Sequence, residues 1–240
     1  MKTHTRILLL GVGAMFAFGT LTACSSGTST EASTATPSEP SEPAATTAPA
    51  TAAPFPENAR YIADMEKDGK TMTIGISVEG DEIAAYACNG TDDEAWFFGD
   101  QADGAIDITS RFRDTLKASF DGTDVEGDLT MDGVTYTFTA LPVVDPAGMY
   151  TAELDGVRAS WVLRPNGSAT GVQFNGLSGR NFEQAELQIL RDDQFRSEVR
   201  NKRLLQQANQ LTRLQNGSFG STINDRPVTA TLVTGKFRFS

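Results

Sequence analysis

Histidine is nearly missing from this chain. The one copy, His4, lies in an N-terminal stretch that reads as an export leader, so the mature protein has none. Cysteine is almost as scarce, with Cys24 and Cys88 alone. Without histidine, and with at most one free thiol, the chain has no Ser-His-Asp or Cys-His machinery of its own and none of the usual His and Cys zinc sets. Basic residues are few as well, 20 against 31 acidic. An acidic body argues against nucleic acid as a partner, since a phosphate backbone needs a basic footprint. No phosphate-cradling glycine loop or dinucleotide fingerprint occurs, because the glycines belong to turns, and nothing in the pattern calls for a cofactor.

The N-terminal quarter has the composition of targeting and linking segments. Residues 1–23 join a basic start (Lys2, Arg6) to an apolar run from Ile7 to Leu21, the layout of a signal peptide. The junction Leu21-Thr22-Ala23-Cys24 resembles the bacterial lipobox, whose cysteine takes a diacylglycerol on sulfur, and with further acylation anchors the protein at the extracytoplasmic face of the cell membrane. Residues 24–56 consist mostly of Ala, Thr, Ser and Pro and carry six of the ten prolines, a composition that buries no core and serves as a disordered tether. With Cys24 lipidated, Cys88 has no partner for an intramolecular disulfide. It shares a strand face with Ala84 and Tyr86, where a buried small hydrophobe is expected.

Residues 57–240 read as one β-rich domain. Between Asp68 and Gly176, Asp-Gly or Asn-Gly occurs eight times, at Asp68, Asn89, Asp103, Asp121, Asp132, Asp155, Asn166 and Asn175. These pairs punctuate alternating runs such as Val134-Thr-Tyr-Thr-Phe138, the signature of hairpins. Met72, Ile74, Ile76 and Val78 alternate with Thr71, Thr73, Gly75 and Ser77, which predicts one core face and one wet face. Nine strands follow from such runs up to Phe174, with a tenth at the edge from Arg60 to Glu66 and further strands at Val228–Leu232 and Phe237–Phe239. An antiparallel meander of that size closes as a barrel or folds into a two-layer sandwich. Residues 182–215 lack proline and glycine and are rich in Glu, Gln, Arg and Leu, which predicts an inserted amphipathic helix carrying Leu204, Ala208 and Leu211 on one stripe.

Charge is divided along the domain. Glu57 to Ser160 holds 22 acidic and 7 basic residues, whereas Trp161 to Ser240 holds 6 acidic and 11 basic. The basic part is expected to dock on the acidic part.

Residue patterns also carry a resemblance. Ala84-Ala-Tyr-Ala-Cys-Asn-Gly90, Glu94-Ala-Trp96 with Gly99, Tyr136-Thr-Phe-Thr-Ala-Leu-Pro-Val143, Ala147-Gly-Met-Tyr150 and Arg226-Pro-Val-Thr-Ala230 resemble uncharacterised lipoproteins of actinobacteria, including mycobacteria. The resemblance covers most of Arg60 to Val233 outside the helix-like stretch. It implies an envelope location and a β-rich fold, and brings no catalytic residues.

Candidate site residues are few. Asp92, Asp93 and Glu94 precede Trp96-Phe97-Phe98, and two carboxylates beside aromatic side chains are what a glycan hydrolase needs. Solvated turn carboxylates and core aromatics explain the same letters. Trp96 and Trp161 either stack on a sugar, line an apolar cavity or pack in the core. Asp121-Gly-Thr-Asp124-Val-Glu126-Gly-Asp128 departs from the calcium-loop pattern at its third, fifth and twelfth positions, and reads as an acidic hairpin tip. The sequence therefore favours a lipid-anchored, non-catalytic binding module for an envelope glycan, lipid or protein partner. A carrier with an apolar or lipid ligand in a barrel cavity comes second, and a carboxylate-based glycan hydrolase third.

The anchor has a direct test. Cys24→Ala is expected to shift the protein from the membrane fraction to the medium, or to leave an unprocessed precursor. Membrane retention of a correctly cleaved variant would contradict it.

Overall fold

The structure is a computed structural model that describes residues 52–177 and 199–239. The signal peptide, Cys24, nearly all of the tether and the first half of the expected helix lie outside the described residues. Residues 48–240 belong to one compact unit.

Eight antiparallel strands close a barrel: β1 (Asn58–Lys67), β2 (Lys70–Glu79), β3 (Glu82–Cys88), β4 (Glu94–Ala102), β5 (Ala105–Thr109), β6 (Thr115–Phe120), β7 (Val125–Met131) and β8 (Val134–Pro142). Closure comes from β1 pairing with β8 through Tyr61 opposite Pro142 and Ile62 opposite Leu141. The stretch expected to form an edge strand is therefore a full barrel strand, paired on both sides. Hairpin chemistry sets the registers. Asp68-Gly69, Asp103-Gly104, Asp132-Gly133 and Asp155-Gly156 each hold both residues at positive φ, giving two-residue turns whose twist matches the flanking strands.

Side chains fill the barrel's interior. Tyr61, Met72, Ile74, Ile76, Ile83, Phe97, Leu116 and Leu129 point inward in one buried cluster. Ala53 and Phe55, two residues assigned to the tether, belong to this packing. The Phe55 ring stacks on Phe120 at 4.9 Å, and the Ala53 amide donates to the Phe120 carbonyl at 2.8 Å.

A second sheet uses the remaining strands, β9 (Gly148–Leu154), β10 (Val157–Leu163), β11 (Ala169–Leu177), β12 (Arg203–Gln207), β13 (Thr212–Arg213), β14 (Phe219–Ile223) and β15 (Arg226–Leu232). Their order is β12-β11-β10-β9-β15-β14-β13, and the sheet curls into a half-barrel. Its inner face buries Trp161, Leu163, Leu211, Phe219 and Ile223. Its other face, with Met149, Val162, Val172 and nearby Val233, meets the outside of the closed barrel at Ile62, Ala84, Tyr86, Cys88 and Trp96.

That contact overturns one expectation. The Thr73, Gly75 and Ser77 face of β2 is buried rather than wet. Gly75 is required there, because a Cβ would collide with the Met149 side chain. Ser77 Oγ donates to the Val233 carbonyl at 3.0 Å, so its hydroxyl stays satisfied away from water. Cys88 is buried on the same outer face, and burial pushes its thiol up to about 12, which leaves it inert.

The helical expectation also needs correction from Arg203 onward. Val199 and Arg200 are helical, a turn follows, and Arg203–Gln207 and Thr212–Arg213 are strands. Leu205 pairs with Phe174 and Gln207 with Val172, so the pull of β11's open edge outweighs helix propensity. On a strand, Leu204 faces solvent at 46 % exposure, while Leu211 is 5 % exposed inside the half-barrel. Phe237–Phe239 lies outside any strand and packs on the barrel by its rings.

These positions separate strand from helix. Leu211→Ala is expected to cost about 2–4 kcal/mol in urea unfolding, and Leu204→Ala to stay within about 0.5 kcal/mol. Equal losses at both would restore the single helical stripe.

Candidate functional site

The barrel and half-barrel diverge beside β4, and the gap between them is a cleft of about 420 Å³. One wall comes from β4 with Glu94, Trp96 and Phe98, and from the β5–β6 loop with Phe112. The other comes from Arg158 on β10, Phe174 on β11 and Arg203 on β12. Arg238 and Phe239 cross from the C-terminal segment. Alternation along β4 explains the division of labour: Ala95 and Phe97 fill the barrel, so Glu94, Trp96 and Phe98 face out.

Aromatic rings form a continuous surface. Trp96 lies 5.5 Å from Phe98 in a stacked arrangement and 5.2 Å from Phe239 edge-on. Guanidinium groups cover the ring faces, with Arg158 4.3 Å from the Phe239 centroid and 5.1 Å from Phe174, Arg203 5.0 Å from Phe112, and Arg238 5.5 Å from Phe98. Such stacking is worth about 0.5–2 kcal/mol per pair, depending on how dry the site is.

Glu94 is the one carboxylate of the lining, and its oxygens are occupied. It accepts from Arg158 Nη2 at 2.5 Å and from the Tyr86 hydroxyl at 3.0 Å. Burial raises the Tyr86 pKa well above its ordinary value, with the neighbouring Cys88 and Glu94 adding to it, so this hydroxyl remains a donor. Two further N–H groups lining the cleft are different. Trp96 Nε1 and Arg158 Nε are buried and have no acceptor among the described residues. Each such orphan costs about 1–3 kcal/mol.

Behind the wall sits a charge network. Arg200 Nη2 lies 2.7 Å from Asp93 Oδ1 and its Nε lies 3.1 Å from Asp114 Oδ1. Arg203 Nη2 reaches Asp93 at 3.1 Å, its Nε donates to the Arg200 carbonyl, and its Nη1 donates to the Glu94 carbonyl. Burial raises the Asp93 pKa against the pull of Arg200 and Arg203, and burial together with Arg200 lowers that of Arg203. Desolvation thus outweighs attraction on both sides of that pair, so the network fixes geometry more than it adds stability.

The expected site residues separate. Glu94 and Trp96 belong to the cleft. Asp92 and Asp93 open on a different, more polar cavity of about 590 Å³ with Lys70, Tyr136 and Arg200. Asp92 is held in a turn by Asn89 Nδ2 at 2.8 Å and the Thr91 hydroxyl at 3.0 Å. The acidic run is thus divided, Glu94 opening on the cleft and Asp92 and Asp93 on the other cavity, so the cleft receives one carboxylate from it. Trp161 is in neither cavity. It is buried in the half-barrel, with Nε1 donating to the Asn209 carbonyl at 2.9 Å. Asp121 closes an Asx turn, its Oδ1 accepting from the Thr123 and Asp124 amides at 2.8 Å. Among the described residues no three His, Cys, Asp or Glu side chains gather as a metal set.

Sequence reasoning missed Arg158, Arg203, Arg238, Phe112, Phe174 and Phe239. One signal was present: Arg158 shares its strand face with Ser160 and Val162, a charge on an otherwise dry face. The charge division does take the expected form. Arg164 pairs with Asp64, Arg200 with Asp93 and Asp114, Arg226 with Asp155, Lys236 with Glu79 and Arg238 with Glu82, in each case a late cation with an earlier carboxylate. The Arg164 guanidinium holds the Asp64 carboxyl below the usual carboxylate range.

Stability measurements test the network behind the wall. Arg200→Met strands Asp114 and is expected to cost about 3–5 kcal/mol, and adding Asp114→Leu should recover part of that loss. A single variant within about 0.5 kcal/mol of the parent would show an exposed, screened pair instead.

No family model matches this chain, and no curated protein or solved structure is significantly similar to it. The chemistry of the cleft is the guide to its occupant.

Proposed function

We propose that this chain is a lipid-anchored protein of the extracytoplasmic face of the cell membrane, whose β domain is a non-catalytic binding module that takes an envelope component into the cleft between barrel and half-barrel. The observation that carries the binding role is the lining itself: a concave wall of Trp96, Phe98, Phe112 and Phe174 with two buried N–H donors lacking acceptors among the described residues. Ligand sites have this make-up, a mostly apolar concavity with a few polar groups that fix orientation. The lipobox at Cys24 and the resemblance to actinobacterial lipoproteins support the envelope address.

The neighbouring readings fare differently against the geometry. A carrier with its ligand inside the closed barrel would have to displace Phe97, Leu116, Leu129 and their neighbours, which pack there. A ligand held between the sheets asks for no such rearrangement. Hydrolysis needs a carboxylate free to exchange protons, whereas Glu94 is committed to Arg158 and Tyr86.

Native mass spectrometry decides between bound and empty. Protein purified from the cells that make it is expected to carry a non-covalent mass, and a Phe112→Glu variant, with a carboxylate set into the lining, is expected to lose it. Absence of any bound mass from the parent protein would overturn the binding role.

A further inference from the structure

The C-terminal Phe239 ring sits where the cleft's two orphan donors lie. Its edge-on contact with Trp96 and its face-on contact with Arg158 bring one side chain against both residues whose N–H groups lack acceptors among the described residues. An aromatic ring excludes water from such donors without satisfying them, so the covered arrangement is the costlier one. Phe239 is also a slight cover. It is 40 % exposed, whereas Phe237, two residues earlier, is partly buried against the cluster between the sheets. Trp96, by contrast, is only 8 % exposed and fixed between Tyr86 and Phe98.

The donors specify the head of whatever replaces the ring. Arg158 is a cation with Nη2 committed to Glu94, and its Nε remains for a second acceptor. An anionic acceptor adds charge–charge attraction to that bond, which a neutral hydroxyl does not. Four arginines and one carboxylate line the cleft, in a chain whose net charge is −11. The walls specify the body. Trp96, Phe98, Phe112 and Phe174 offer apolar surface that a compact inorganic anion would leave uncovered.

Resting on the binding role given above, we propose that the occupant is a single-chain organic anion. Its acid head, a carboxylate or a phosphate or sulfate ester, accepts from Trp96 Nε1 and Arg158 Nε, and its apolar chain lies on the aromatic wall in the place the Phe239 ring now takes. The Phe239 ring thereby acts as a displaceable stand-in for the ligand.

Tryptophan quenching tests this on the full chain, because a brominated chain quenches only on contact and Trp161 is sealed inside the half-barrel. The probes are ω-bromoundecanoate and its methyl ester, which differ in charge and share the chain. Saturable quenching by the acid is expected, with an affinity about tenfold or more above that of the ester. Phe239→Ala, which removes the competing ring, should tighten acid binding about fivefold. Arg158→Lys keeps the charge that faces Glu94 but removes Nε, and should weaken the acid about tenfold more than the ester, whose affinity reports any general loss of the site.

Equal affinity for acid and ester would overturn the anion inference and leave the binding role standing. Binding to phosphatidylglycerol vesicles without quenching by the monomeric acid would also overturn it, in favour of docking on a lipid surface. Unaltered binding in Phe239→Ala would overturn the displacement step. Absence of quenching by either probe, with no co-purifying mass, would remove both the inference and the binding role.

Discussion

A β-strand has two faces, and in β2 and β3 both are buried. Met72, Ile74, Ile76 and Val78 fill the closed barrel, while Thr73, Gly75 and Ser77 on the other side lie beneath the half-barrel. Ile83, Ala85 and Ala87 point in, and Ala84, Tyr86 and Cys88 point out. This shared wall ties the molecule together, since among the described residues each sheet is the cover of the other's apolar face. Burial at about 25 cal/mol per Å² makes exposing that face on separation expensive. The few polar groups in the contact are matched across it, Ser77 to the Val233 carbonyl and Thr73 with Asp64 to Arg164.

The cleft follows from the same wall. Two curved sheets that touch along β1 to β3 must part where their curvatures diverge, and they do so at β4. Apolar side chains that would be core under the half-barrel line the gap there, with Trp96 the last of the sheet contact and the first of the cleft. Arginines are suited to such a position. A guanidinium lies flat on an aromatic face while its edge bonds to carbonyl or carboxylate, so Arg158 and Arg203 satisfy both demands at once. Behind them the half-buried Asp93 and the buried Asp114 pair with Arg200 and Arg203 and tie the start of β12 to the barrel.

Much of the fold was legible because turn chemistry is local. An Asp-Gly pair dictates its own backbone, and four of the eight pairs form two-residue turns. Asn224-Asp225 makes the corresponding positive-φ turn without glycine and left no such mark. Other features were not local. The polar face of β2 looked wet because what covers it, the half-barrel with Met149, Arg164 and Val233, comes from far along the chain. Strand β4 was hidden by Asp92-Asp93 before it and by Glu94, Gly99 and Asp100 within it. Arg203 to Arg213 has good helix formers, yet it pairs along an edge that only the assembled half-barrel supplies. Trp96 and Glu94, singled out in the sequence by their neighbours, both line the cleft. The cleft's arginines come from two separate strands, the β5–β6 loop and the C-terminal segment, and Phe239 lies 143 positions after Trp96, so no spacing in the sequence points to them.

The central claim is that closed barrel and half-barrel stand or fall as one structure through β2 and β3. Differential scanning calorimetry of the chain tests it most directly, through the ratio of calorimetric to van't Hoff enthalpy. A single transition with a ratio of about one is the expected result for one cooperative unit. Two resolved transitions, one leaving the barrel folded after the half-barrel has melted, would contradict it.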